Sequence, residues 1–155
     1  MLIDATDDLF ERLVSGAPLD GLTVAEGGLE APEVLAMLQG LAAGLRESID
    51  PCAWLMVEAG EVVGLISLTK PPTPEGAVEI GYGVAESRRG RGVAGRAVGD
   101  LLVLARAHPD LKAIIAETSP RNLASQAALV RNGFVRTGER FDAEDGDLIC
   151  WRFEV

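Results

Sequence analysis

A short run of arginine and glycine is the part of this sequence whose residue types most clearly suit chemistry. Glycines there free backbone N–H groups to surround an anion, and a helix N-terminus adds roughly half a positive charge. Arginines supply longer-range attraction. The pattern therefore predicts a cradle for phosphate groups, made of Arg89, Gly90, Arg91, Gly92, Val93, Ala94, Gly95 and Arg96.

The segment before this run predicts a strand with an unusual surface. Over Ala77–Val84 the side chains of Ile80, Tyr82 and Val84 alternate with Glu79 and two glycines. Alternation of this kind is typical of a strand, and the glycines leave one of its faces almost bare of side chains. We therefore expect another molecule to approach this backbone closely.

Ten elements are predicted to position these residues. Two helices fill much of the first fifty residues, the first capped by Asp4 or Thr6 and the second opened by Ala31-Pro32-Glu33. The rest alternates strands and helices, which predicts an α+β domain with a partly antiparallel central sheet. The predicted later elements are strands at 53–58, 62–69, 77–84, 112–118, 134–141 and 148–153 and helices ending near Ala107 and at Arg131.

Length and composition limit the class of protein. At 155 residues the chain has room for one domain, which we assign to residues 1–155. No apolar run approaches the roughly 18 residues that cross a bilayer. The first residues of the chain are acidic, whereas an export signal begins with basic residues. Cys52 and Cys150 fit neither a disulfide framework nor a zinc spacing. We expect a cytoplasmic protein with reduced thiols, no metal and no membrane partner.

The charge distribution predicts the kind of ligand. The formal net charge of −10 argues against nucleic-acid binding, which needs clustered bases without compensating acids. Residues 88–140 nevertheless carry ten Lys and Arg against four acids, so one basic region lies in an acidic protein. A small polyanion suits the basic region. The surrounding acidity suits a cationic second substrate.

The same glycines also fit a dinucleotide-binding fingerprint, as Gly90-x-Gly92-x-x-Gly95, with Glu117 in place of the ribose-binding acid. Two features disfavour an NAD(P)-dependent oxidoreductase. Residues 85–89 separate the first glycine from its strand, and only 37 residues follow Thr118, where a second nucleotide-binding half would be needed. A plain turn with solvated arginines is the other alternative.

Several motifs together resemble one family. Arg89-x-x-Gly92-x-Ala94 resembles the Q/R-x-x-G-x-G/A signature of the GNAT superfamily of N-acetyltransferases, whose loop binds the pyrophosphate of acetyl-CoA. Glu79-Ile80-Gly81-Tyr82, the segment Ser119–Ser125 and Asn132-Gly133-Phe134 resemble its RimJ/RimL-like branch. The resemblance covers residues 77–153 in order, whereas residues 1–60 match only in their order of elements.

The resemblance implies a fold and a cosubstrate. The fold would be a mostly antiparallel, twisted sheet of about six to seven strands flanked by about four helices. The strand that holds Glu79 would splay from its neighbour, and its backbone would bind the pantetheine arm and the acetyl carbonyl. Besides the cradle, the residues expected to bind acetyl-CoA are Tyr82, Val84, Asn122 and Ser125.

The resemblance also suggests how protons move. Glu79 is the first candidate for the general base, directly or through water, because related enzymes carry a glutamate on this strand; Glu117 is the second. Ser125 is expected to donate to the departing thiolate. Many relatives place a tyrosine as general acid where this chain has Val130, which leaves Ser125, Tyr82 or water.

The expected activity is acetyl-CoA-dependent transfer of an acetyl group to a primary amine, on a protein N-terminus or a small molecule. An acyl-CoA-binding domain without turnover is the main alternative. We expect the choice of amine to depend on the helical N-terminal region and the loops. A homodimer is a further expectation.

Overall fold

A computed structural model describes residues 1–155. The chain forms eight strands and four α-helices, with a short 3₁₀ helix at Glu86–Arg88. In chain order they are β1 Leu2–Asp4, α1 Asp7–Ser15, β2 Thr23–Val24, α2 Pro32–Leu45, β3 Ala53–Glu58, β4 Glu61–Leu68, β5 Ala77–Val84, α3 Val93–Ala107, β6 Ala113–Thr118, α4 Leu123–Arg131, β7 Val135–Asp142 and β8 Gly146–Glu154.

The strands form one sheet in the order β1-β3-β4-β5-β6-β8-β7, with β2 beside β4. Only the β2/β4 and β5/β6 pairs are parallel. The expected α+β fold with a mostly antiparallel sheet is therefore confirmed. The dinucleotide alternative needs a parallel, doubly wound sheet, which this strand order does not provide.

Two strands were absent from the sequence-based prediction, because β1 has three residues and β2 has two. Alternation cannot be recognised over so few positions. The turn between β3 and β4 is also shorter than expected. Ala59 and Gly60 form it with positive φ angles of 49° and 78°, and Glu61 already belongs to β4.

The first two helices begin as the sequence predicts. Thr6 caps α1, since its Oγ1 accepts the N–H of Leu9 at 3.3 Å, and Pro32 opens α2. Arg46, directly after α2, lies 3.1 Å from Asp7 and 2.9 Å from Asp50. This cluster joins the two helices to each other.

The helices lie on opposite faces of the sheet. Tyr82 of β5 contacts Ser125 of α4, while its neighbour Gly83 faces Glu30, just before α2. Because adjacent strand residues point to opposite faces, α4 and the start of α2 lie on different sides of β5. None of the helices combines the length and apolar character needed to cross a bilayer.

Candidate functional site

Strand β5 is paired along one edge and only half paired along the other. On the β4 side its register runs without interruption from Ile80, opposite Leu68, to Val84, opposite Gly64. On the β6 side the pairing ends at Ile80, opposite Ala116. Strand β6 continues to Thr118 in register with β8. A gap therefore opens between β5 and β6 beyond Ile80, as expected for a splayed strand.

The backbone of β5 points into this gap at two residues. The N–H of Thr69 donates to Glu79 O at 2.9 Å, and the N–H of Ala85 donates to Val63 O at 2.8 Å, so these odd-numbered residues face β4. Backbone groups alternate in direction along a strand. Those of Tyr82 and Val84 therefore face the gap, where Val84 O accepts from Arg89 Nε at 3.2 Å.

The arginine-glycine run forms the turn into α3. Gly90 and Gly92 have φ angles of 76° and 73°, a left-handed conformation that glycine adopts without strain. Gly92 is the N-cap residue and provides no side chain to the first turn. The N–H groups at this helix start are thus available to an anion, and the helix dipole favours one.

The four arginines of this region fall into two classes. Arg88 is bound by both oxygens of Glu61 at 2.6 and 3.0 Å, and Arg96 by Glu58 Oε1 at 2.8 Å and by Arg91 O at 2.9 Å. Arg89 and Arg91 have no acidic partner. The charges available to an anionic ligand are therefore those of Arg89 and Arg91.

Two hydroxyl groups meet at the start of α4. Asn122 caps the helix, since its Oδ1 accepts the N–H of Ser125 at 3.0 Å. Ser125 Oγ lies 2.7 Å from Tyr82 Oη. Burial raises the pKa of Tyr82 above its ordinary value of 10.0, so the phenol is neutral at pH 7. The pair is suited to donating a proton or hydrogen bond toward the gap.

The two candidate bases lie on the other face of the sheet in different surroundings. Glu79 accepts from Thr69 Oγ1 at 3.0 Å and from Lys70 Nζ at 2.8 Å. Glu117 receives two hydrogen bonds from Arg140, which hold the pKa of its carboxyl below the ordinary value. A carboxylate with a lowered pKa is the weaker base, so this arrangement disfavours Glu117.

A cavity of about 810 Å³ connects these parts. Glu79, Arg91 and Arg96 do not line it. Five polar residues that were not among the predicted site residues do: Glu30, Arg88, Ser119, Arg121 and Arg131. The expected site residues that line it are Tyr82, Val84, Arg89, Gly90, Gly92, Val93, Ala94, Gly95, Asn122 and Ser125.

Comparison with known proteins identifies the family. Residues 29–135 match the acetyltransferase (GNAT) domain, which is more than half of the chain. The chain belongs to the GNAT acetyltransferase family. No curated protein matches this GNAT chain significantly by sequence.

Solved structures share the GNAT fold. One is an acetyltransferase from Salmonella typhimurium that modifies the N-terminal serine of ribosomal protein L7/L12, at 22% identity over 99% of this chain and 94% of that one, with a TM-score of 0.72. Another is a ribosomal-protein-S5-alanine acetyltransferase from Vibrio fischeri, at 22% identity over 80% and 72%, with a TM-score of 0.63. A third is aminoglycoside acetyltransferase AAC(6')-Ib in complex with coenzyme A, at 20% identity over 99% and 94%, with a TM-score of 0.70.

Proposed function

We propose that this GNAT domain transfers an acetyl group directly from acetyl-CoA to a primary amine. The observation that carries the proposal is the gap beside β5. It opens onto a cavity with an anion-binding loop at one end and paired hydroxyls at the other. A long ligand with phosphates at one end and a reactive thioester at the other matches this order.

The cosubstrate lies along β5 in this proposal. Its pyrophosphate sits at the start of α3, beside Arg89 and Arg91, where helix N–H groups and two uncompensated charges favour an anion. Its pantetheine arm runs past the backbone groups of Tyr82 and Val84, which point into the gap. The thioester then lies near Ser125, at the first turn of α4.

Amide formation from a thioester needs a neutral amine and a proton for the departing thiolate. The amine nitrogen attacks the acetyl carbon, the carbon–sulfur bond breaks, and the nitrogen loses a proton. Before the attack, Glu79 takes a proton from the ammonium form of the amine, directly or through water. The proton that the nitrogen loses after the attack passes to the departing thiolate through the Ser125 hydroxyl. Tyr82 orients the Ser125 hydroxyl, because the two oxygens lie within hydrogen-bond distance.

The acceptor is proposed to be a cationic amine that loses its proton on the enzyme. The face of β5 that carries Glu79 also lies beneath Glu30, whose carboxylate reaches the backbone of Gly83. Carboxylates on this side attract an ammonium group. Protein N-termini and aminoglycosides are the acceptors named for the structural relatives, and both classes belong in a first screen.

The test is release of free thiol from acetyl-CoA on addition of an amine panel containing peptides, polyamines and aminoglycosides. We expect at least one class to accelerate thiol release, with mass spectrometry showing one added acetyl group. Acetyl-CoA binding without acceleration by any amine would favour the alternative of a non-catalytic acyl-CoA-binding domain. Thermal stabilisation by NAD(P) but not by acetyl-CoA would contradict both.

A further inference from the structure

Helix α4 lies along the cavity and links its two ends. Ala124, Ala127, Ala128 and Arg131 line the cavity, and their spacing places them on one helix face. The helix begins at the Tyr82–Ser125 contact. It ends beside the first turn of α3, because the side-chain amide of Asn132 donates to Gly95 O at 2.9 Å.

This geometry separates two cationic residues of the cavity wall. Arg121 precedes α4 at the hydroxyl end, and Arg131 is the last residue of α4, at the loop end. Arg131 follows Arg121 by ten positions, about 15 Å at the helical rise. The alanines between them leave the wall open, so a ligand extended along α4 can meet Arg131 without obstruction.

The charge of Arg131 has no partner within the protein. It forms no ion pair, and the only acid lining the cavity, Glu30, lies at β5 beside Gly83. Arg89 and the free N–H groups at the start of α3 serve the pyrophosphate there. A second uncompensated arginine that lines the same end of the cavity matches a ligand with a further phosphate.

Coenzyme A carries such a group, since its 3′-phosphate is a phosphomonoester with a charge of about −1.5 to −2 at pH 7. We propose that Arg131 binds the 3′-phosphate of acetyl-CoA and makes the domain discriminate against the dephosphorylated cosubstrate. A guanidinium can hold two phosphate oxygens at once. This inference rests on the proposed use of acetyl-CoA.

The experiment compares the dissociation constants of acetyl-CoA and 3′-dephospho-acetyl-CoA by calorimetry. We expect the unmodified protein to bind acetyl-CoA at least tenfold more tightly. Arg131→Gln keeps much of the side-chain length but removes the charge, and should bring that ratio close to one without weakening the dephosphorylated ligand. Arg121→Gln, at the other end of α4, should keep the ratio.

Two results would overturn the inference while leaving the proposed function intact: equal binding of both ligands by the unmodified protein, or an Arg131→Gln variant that retains the ratio or weakens both ligands equally. Binding of neither ligand by the unmodified protein would overturn the proposed function as well. Arg131→Lys supplies a further check, since a retained charge without the bidentate fork should give an intermediate ratio.

Discussion

The two edges of β5 show how one strand serves both the fold and the candidate site. Along β4 the strand is paired up to Val84, and there is little space between the two backbones. Along β6 it separates after Ile80 and leaves its backbone groups facing a cavity. The site therefore arises where the pairing of β5 with β6 ends. The paired edge holds the unpaired backbone groups in position.

The largest effect is expected on the paired edge, from Gly64→Ala. An added Cβ at this position would lie 2.6 Å from Gly83 O and 2.6 Å from Met56 Sδ, and backbone cannot move aside cheaply. We expect the free energy of unfolding to fall by about 2 to 4 kcal/mol, measured by urea denaturation.

Gly83→Ala is the matched control. Its added Cβ would lie 2.9 Å from Glu30 Oε1, the end of an exposed side chain that can move, so the loss should stay below about 1 kcal/mol. Equal losses in the two variants would show that the neighbouring backbone resists an added Cβ no more than the movable Glu30 side chain does.

The second prediction concerns turnover and Glu79, which lies one residue before β5 separates from β6. If Glu79 is the base, Glu79→Gln should lose about 10²-fold in turnover at pH 7 and keep its affinity for acetyl-CoA. Activity should recover partly at high pH, where the amine deprotonates unaided. Steady-state rates over a range of pH test this. A variant with the unmodified pH profile would transfer the role to Glu117 or to water.

The third prediction concerns the cavity beside the unpaired edge of β5, at the start of α3. Ala94→Leu places a large side chain in the cavity wall at the start of α3, so the dissociation constant for acetyl-CoA should rise at least tenfold with little change in Tm. The control is the same substitution at Ala107, an exposed residue at the other end of α3. If both variants bind acetyl-CoA normally, the proposed pyrophosphate position is wrong.

The smallest effect is expected for Glu117, the residue of β6 that follows the last position paired with β5. Arg140 lowers the folded-state pKa of Glu117, so the pair stabilises the fold above the unfolded value near 4.5. That contribution is lost as the pH falls through the folded pKa. Glu117→Gln should therefore lower Tm by about 2 to 4 °C at pH 7, with the difference shrinking toward pH 3.

Calorimetry at pH 7 and pH 3 measures the two Tm differences for Glu117→Gln. A Tm difference that grows toward acid would contradict the ion-pair role. Turnover of the folded variant should stay within about twofold of the unmodified protein, because the proposed base is Glu79. A loss near 10²-fold in Glu117→Gln would instead make Glu117 the base.

Local patterns predicted the elements that position the site. The alternation of Ile80, Tyr82 and Val84 predicted a strand with the bounds that β5 has in the structure. Because no helix breaker occurs before Pro109, the sequence also predicted that α3 ends near Ala107, where it does end. The glycine spacing predicted a turn at a helix start, because a left-handed backbone favours glycine. These features depend on neighbours in the chain, which the sequence displays directly.

Contacts between distant residues could not be predicted in the same way. Arg88 and Arg89 are adjacent and chemically alike, yet only Arg88 is bound by Glu61, 27 positions earlier. The Tyr82–Ser125 contact joins residues 43 positions apart. Arg131 gave no signal beyond its charge, since its place at the loop depends on the Asn132 contact with Gly95. Such facts follow from the register of strands and the packing of helices.

The outermost strand of the sheet has a consequence for solubility. Strand β7 pairs only with β8, and its residues from Val135 to Phe141 are exposed, including Phe141 itself at 74%. An open strand edge is a template on which further chains can add and aggregate. Charges at Arg136, Glu139 and Arg140 oppose this, since stacking copies in register would bring like charges together. The edge strand thus carries its own protection against aggregation.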